Sequence, residues 1–261
     1  MKRLAASLLS LAAFLAVTTI VPYALLLRRR PEDIGQHLDG DPAPHPSRAA
    51  ARPVQKLSVG VALRQPSFRW LAVAFSLNSV ASIAVYTHLI AYMLDRGFEP
   101  TLAAMLSGLV GAMQVVGRII LGGLGDRVPL RVNAAVVLGL QPLAFLSLLL
   151  IPGFAGLVIF VILFGTSRGA VTLVRPAFVA DTYGRERYGT IAGALAAFVM
   201  IATAAAPLSG GVAYDFFGEY DPLLWMFAGL SVISAGLVLL VRPEAPVTVP
   251  LPTAVSGHAT S

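Results

Sequence analysis

Three arginines lie inside long apolar runs: Arg118 in "MQVVGRIILG", and Arg168 and Arg175 in the stretch 154–179. On a soluble helix such spacing is ordinary. Inside a membrane a guanidinium far from the boundary is costly, and it is retained where it has a task. Guanidinium chemistry narrows that task. A planar, permanently charged fork of N–H donors pairs with a carboxylate through two parallel hydrogen bonds, which a lysine ammonium cannot reproduce. Neither Asp nor Glu falls within any of the apolar runs, so a bound anion could supply the missing counter-charge. Arg118 lies eight residues before Asp126, roughly 12 Å up a helix. The structural alternative is an arginine that snorkels toward that boundary and ties to backbone carbonyls. Arg168 and Arg175, seven residues apart, share one helix face.

His88, in "VYTHLIAYML", is a titratable group within a run and could carry a proton or donate to a substrate. The alternative is a buried histidine bonded across two helices. Tyr86, Asn78 and Gln114 complete the set of candidate binding residues, against the alternative that aromatic residues near an interface are anchors. The small-residue spacings Gly165–Gly169 and Gly189–Gly193 suit close helix contact, and Pro207 is placed to kink its run.

The elements that must hold these residues are membrane helices. The chain of 261 residues is 57% hydrophobic and 12% charged, about half the charge of an ordinary soluble domain. About 20 apolar helical residues cover the hydrocarbon core. Seven runs meet that length: Leu4–Leu27, Trp70–Leu94, Thr101–Leu124, Val132–Ile151, Phe154–Val179, Gly189–Tyr214 and Pro222–Val241. They are continuous rather than alternating, which argues for helices and against a barrel. The first run is too long for a signal-peptide core and is followed by "LLLRRRPED" instead of a small-residue cleavage site. The class is therefore all-α, a polytopic membrane protein of about seven spans.

Charge placement orients it. The net charge is +6, but the basic residues gather in alternate loops, which sets topology and does not describe a nucleic-acid surface. Residues 28–65 hold Arg28, Arg29, Arg30, Arg48, Arg52, Lys56 and Arg64, the turn after Leu124 holds Arg127 and Arg131, and residues 181–188 hold Arg185 and Arg187. The intervening loops carry only Arg96. The basic loops and the C-terminus are thus expected in the cytoplasm, of a bacterial inner membrane on the Arg/Ala/Gly-rich usage. Lys2 and Arg3 then fall outside, against the rule. The expected organisation is one helix (1–27), a Pro- and Ala-rich cytoplasmic linker (28–65) flexible for much of its length, a six-helix bundle (66–243) and a disordered tail (244–261).

These features together resemble the major facilitator superfamily, where two six-helix halves are joined by a long cytoplasmic loop. "LLLRRRPEDIGQHLDGD" is similar to the end of the sixth helix and the loop after it. "GGLGDRVPLR" resembles the family's loop signature, a glycine (Gly122), Asp126-Arg127 four and five residues later, then a basic residue (Arg131). "FVADTYGRERYGTIAGAL" and "APLSGGVAYDFFGEY" resemble the tenth-to-eleventh connection and the end of the eleventh helix. The resemblance covers about residues 4–243 and implies helix six plus the C-terminal half, with nothing matching the first five helices. It implies that Gly122, Asp126, Arg127 and Arg131 latch helix ends that separate during alternating access, with Asp181 available as a carboxylate for pairing and Arg175 as a gate or interfacial residue. The bland alternative is a basic turn that only sets topology. It also places Arg118 and Arg168 on helices eight and ten, which line the cavity. "MQVVGRIILG" is similar to helix eight of the monocarboxylate and oxalate:formate branch, where an arginine at the position of Arg118 contacts the substrate carboxylate.

The expected function is alternating-access transport of a small mono- or dicarboxylate, in the lipid bilayer, paired with a missing N-terminal half or a partner chain. The rivals are a non-transporting fragment or subunit and, more distantly, a seven-helix receptor. An enzyme is not expected. His37, His45 and His258 lie in linker or tail without metal-ligand spacing, and there is no phosphate-binding loop or Ser-His-Asp arrangement. No cofactor, metal or nucleic-acid partner is implied.

Overall fold

Where no water is available, a chain must satisfy its backbone within its own segment, and a long apolar run does so as a helix. The computed structural model describes residues 10, 14–20, 22–23, 59–124, 128–183 and 188–241, and every one of the long described segments is helical. The helices are α1 (Val59–Arg64), α2 (Pro66–Asp95), α3 (Pro100–Leu124), α4 (Leu130–Leu150), α5 (Phe154–Tyr183), α6 (Tyr188–Phe217) and α7 (Asp221–Leu240). Six of them, α2 to α7, are long and apolar enough to cross a membrane.

The helices overrun the expected spans, chiefly α2, α5 and α6. Those three have 30 residues each, about 45 Å of helix against a core of about 30 Å. The excess carries Asp95, Asp181 and Asp215 into the last turn of each helix, so the interiors remain free of acids as expected. A second difference lies in the expected linker. Residues 59–64 form the short helix α1, whose Leu63 packs on the bundle. The three tight connections α2–α3, α4–α5 and α6–α7 each hold one left-handed glycine, Gly97, Gly153 and Gly218, with φ of 78°, 76° and 75°. Gly97 and Gly218 end α2 and α6 in a conformation that is cheap at glycine, whereas α4 ends at an extended Ile151 and Gly153 turns the chain into α5.

Residues 1–55 form a unit of their own. Of the expected first span, residues 14–20 and 22–23 are described; they are helical, with Phe14, Leu15, Val17, Ile20 and Tyr23 exposed. The Thr18 hydroxyl donates back to the Phe14 carbonyl at 2.7 Å. The rest of that span, most of the linker and the tail lie outside the described residues.

Within the bundle, α3 packs along α5, α4 sits between α5 and α7, and α2 packs on α6 and α7. Smaller contacts, α2 to α3 and α5 to α6, close the ring. The core is layered. One apolar cluster, around Met93, Phe145, Phe160, Phe164 and Phe227, fills the end with the tight glycine turns. A second, around Phe68, Phe75, Leu138, Phe178 and Leu195, fills the other end. Between them lies a polar band. Asn78 donates to Gln141 Oε1 at 2.6 Å, and Gln141 Nε2 donates to the Asn78 carbonyl at 3.2 Å and to Ser231 at 3.3 Å. Ser167 donates to the Val137 carbonyl at 2.7 Å and Ser234 to the Ala74 carbonyl at 2.8 Å. Lipid tails are as apolar as leucine, so such bonds and close packing hold membrane helices together.

Candidate functional site

The site forms where α3 and α5 touch. A Cβ added at Gly117 would strike the Thr166 backbone, and one at Gly169 would strike the Gln114 backbone. At Gly165 it would strike Met113, and at Gly122 it would meet Leu173 Cδ1 at 2.8 Å. Contacting positions rise together along both chains, from 113 with 165 to 122 with 173, so the two helices run parallel. Arg118 directly follows Gly117 and Arg168 directly precedes Gly169, which sets the two arginines at one depth. That depth is the polar band: Arg168 follows Ser167, and Arg118 lies between Val110 of the first apolar cluster and Leu121 of the second. By contrast, Gly189 and Gly193 have open space where a Cβ would stand, so their expected role in close contact is not found.

Arg168 is half-buried. Its Nη1 donates to Ser82 Oγ at 3.1 Å, and its guanidinium carbon lies 4.8 Å above the centre of the Tyr86 ring. Both partners are on α2. Tyr86 in turn stacks on Phe164 of α5, with ring centres 6.4 Å apart. Arg118 is exposed on α3, with half-buried Gln114 one turn before it on the same face, and makes no hydrogen bond or ion pair with another described residue. Among the described residues the only ion pair is Arg96 with Asp221, so none of the three intramembrane arginines has a carboxylate partner there. Arg175 is half-buried two turns beyond Arg168.

The remaining candidates fall elsewhere. Asn78 is 3% exposed and its amide is engaged by Gln141 inside the bundle. His88 lies in the seam of α2 and α6, with Nε2 3.2 Å from the Pro207 carbonyl, which accepts, and its ring 5.9 Å from that of Tyr220. Gly210 is what leaves room for the imidazole, since a Cβ there would collide with it. Together with Val85, Tyr92, Tyr220 and Leu224, His88 lines a cavity of about 10 Å³, near the limit for one water. This end of the bundle is tied further: Arg96 pairs with Asp221, sits 5.1 Å over the Tyr92 ring, and neighbours Asp95, which accepts from the Tyr214 hydroxyl at 3.5 Å. Burial, with Tyr214 and Asp95 adding to it, pushes the Tyr220 phenol above its usual range.

At the opposite end, Asp126 and Arg127 of the expected latch lie outside the described residues. Arg131 is half-buried and Asp181 exposed, and the two form no ion pair. Gly122 is a packing contact of α3 on α5. Sequence reasoning missed Ser82 and Phe164. Neither carries a signal of its own, since each matters only through its neighbour on another helix.

Residues 4–173 match the sequence profile of the Major Facilitator Superfamily. The chain belongs to that superfamily. Of three similar proteins, the first two indicate the branch. Monocarboxylate transporter 12-B of Danio rerio is 29% identical over 203 residues, covering 74% of this chain and 42% of that protein. Monocarboxylate transporter 13 of Rattus norvegicus is 31% identical over 179 residues, 66% of this chain and 40% of that one. The agnestins efflux protein of Paecilomyces divaricatus is 26% identical over 202 residues, 75% and 45% respectively. The chain is thus a multi-pass membrane protein of the major facilitator superfamily resembling its monocarboxylate branch, as its helix-eight motif led us to expect. It spans less than half the length of the curated relatives it matches.

Proposed function

We propose that this chain takes part in the transport of a small organic anion, a mono- or dicarboxylate, by alternating access. The observation that carries the reading is Arg118: a permanent cation at mid-depth of a membrane helix, exposed on its face, with no carboxylate among the described residues to neutralise it. Arg168, at the same depth on the adjoining parallel helix, supplies a second positive group. Two guanidinium groups without acids make a region that a carboxylate enters with a gain in charge pairing. The relatives named for monocarboxylates support the substrate class, and the helix-eight motif supports Arg118 as the contact.

Alternating access in this superfamily rocks two halves about a midplane site. On our reading this bundle is one half, a complementary half provides the other wall, and the basic loops with the C-terminus face the cytoplasm. Asp126, Arg127 and Arg131 on one side, with Asp181 and Arg175 on the other, form the cytoplasmic latch on this reading. No step calls for a cofactor or for bond chemistry.

Arg118→Lys keeps the charge and loses the fork. We expect it to abolish uptake of a carboxylate such as pyruvate into vesicles while the protein remains in the membrane at normal abundance. Uptake unchanged from the parent would rule Arg118 out as the substrate contact.

A further inference from the structure

We infer that Tyr86, with Ser82, is a positioning residue that holds the Arg168 guanidinium at mid-depth with most of its donors free for an incoming carboxylate. The inference rests on the reading of this region as an anion site, and deepens it by separating the residue that binds from the residues that set it.

A half-buried guanidinium at mid-depth needs compensation for lost water, and there are two ways to give it. A protein carboxylate neutralises the charge but occupies the two-donor fork, leaving little for a ligand. An aromatic face attracts the cation through the ring quadrupole and offers no oxygen that would occupy the two-donor fork. Arg168 is compensated in the second way. The Tyr86 ring lies under it at 4.8 Å, and Ser82 Oγ accepts a single N–H at 3.1 Å. Arginine has five such donors, so the greater part of the fork stays open. No acid approaches it among the described residues.

The ring is itself fixed. Tyr86 stacks on Phe164, nearly parallel at 22°. Phe164 is fully buried and stacks on Phe160 at 4.8 Å, with Phe145 at 5.9 Å. Phe164 precedes Arg168 by one turn of α5, so the helix that carries the cation also carries the backing for the ring beneath it. Tyr86 and Ser82, four residues apart on α2, meet the guanidinium from adjacent turns. Ring and hydroxyl on α2, with the Phe164 backing on α5, thus hold the cation before any ligand arrives, which lowers the cost of binding.

Two readouts on the full chain in membrane vesicles test this. The first is the rate at which phenylglyoxal, an arginine-selective reagent, modifies Arg168, followed by peptide mass spectrometry. Removing the ring in Tyr86→Leu should change that rate by about fivefold or more, whereas Tyr86→Phe, which keeps the quadrupole, should restore most of the parent rate. The second is pyruvate uptake, where Tyr86→Leu should raise KM by about tenfold with the maximal rate within about twofold, and Tyr86→Phe should recover most of the loss. If Arg168 reactivity is unchanged in Tyr86→Leu, or Tyr86→Phe behaves like Tyr86→Leu, the positioning role is overturned, the latter outcome pointing to the hydroxyl instead. If the parent takes up no pyruvate but the reactivity pattern holds, the transport reading falls for that substrate and the positioning role stands.

Discussion

At the scale of single residues, the polar side chains of this bundle divide by what satisfies them. Asn78, Gln141 and Ser231 satisfy one another inside the protein, so their hydrogen bonds contribute to stability. Interhelical bonds of this kind are worth about 0.6–2 kcal/mol in a membrane, and leaving a buried amide unpaired adds to the loss. Asn78→Ala should therefore lower the unfolding midpoint of the purified protein in detergent, and a midpoint equal to the parent's would show the network to be idle. Arg118 and Arg168 are different. One is exposed with no described partner and the other leans on a ring and a hydroxyl, arrangements that leave charge and donors available. The ion pair of Arg96 with Asp221 is a poor candidate for a strong tie on its own. Both side chains are more than a third exposed, at 43% and 37%, and exposed pairs contribute about 0–1 kcal/mol. The aromatic contacts around Tyr220, which is 9% exposed, carry more of that end.

At the scale of helices, α3 and α5 are joined by backbone rather than by side chains. Gly117 and Gly169 each lie against the opposite main chain, and main chain cannot move aside as a side-chain terminus can. Gly169→Ala should force the two helices apart, with a cost of at least about 1–3 kcal/mol. Because Arg168 and Arg118 flank the contact, it should also weaken carboxylate uptake. Gly189→Ala is the control. Its Cβ meets nothing within 4 Å, and alanine is the better helix former by about 1 kcal/mol. Folded yield after detergent extraction should fall for the first variant and hold or rise for the second. Equal yields would mean that the close approach of α3 and α5 is not needed.

At the scale of the whole molecule, burial is uneven. In the most apolar window of α3 and of α6 only 22% of residues are buried, against 56% in α4 and 50% in α5. The faces left open include Met105, Val115 and Ile119 on α3 and Met200, Ile201 and Leu208 on α6. Apolar side chains of that kind are content with lipid, but Arg118 on the same open side of α3 is not. This asymmetry, with a match that covers only 42% of the Danio rerio relative, is why we expect a complementary half. Immunoblots of native membranes with an antibody to residues 244–261 should give either a band near twice 27.4 kDa, or a 27.4 kDa band that co-purifies with a second membrane chain. A 27.4 kDa protein that purifies alone and transports pyruvate in liposomes would overturn the pairing.

What the sequence by itself determined follows from local physics. Unbroken apolar runs have one way to satisfy their backbone in lipid, so "FAGLVIFVILFG" and its counterparts announced helices, and the order and approximate limits of the six between residues 70 and 241 could be read directly. Their ends could not be read as well. Asp95, Asp181 and Asp215 look like loop residues, yet their helices continue past the apolar runs, into the interface, where charge costs little. Arginines inside the runs stood out because charge is rare there. Which of them are held, and by what, was decided only in three dimensions, because the partners come from other helices and carry no signal of their own. Ser82 is an ordinary serine until α2 lies across from Arg168, and Asn78 and His88 could be assigned to ligand or to lattice of bonds only once Gln141 and Pro207 were seen beside them. Gly165 and Gly189 have similar local sequence spacing, and only the packing of α5 on α3 gives the first a neighbour and leaves the second in open space.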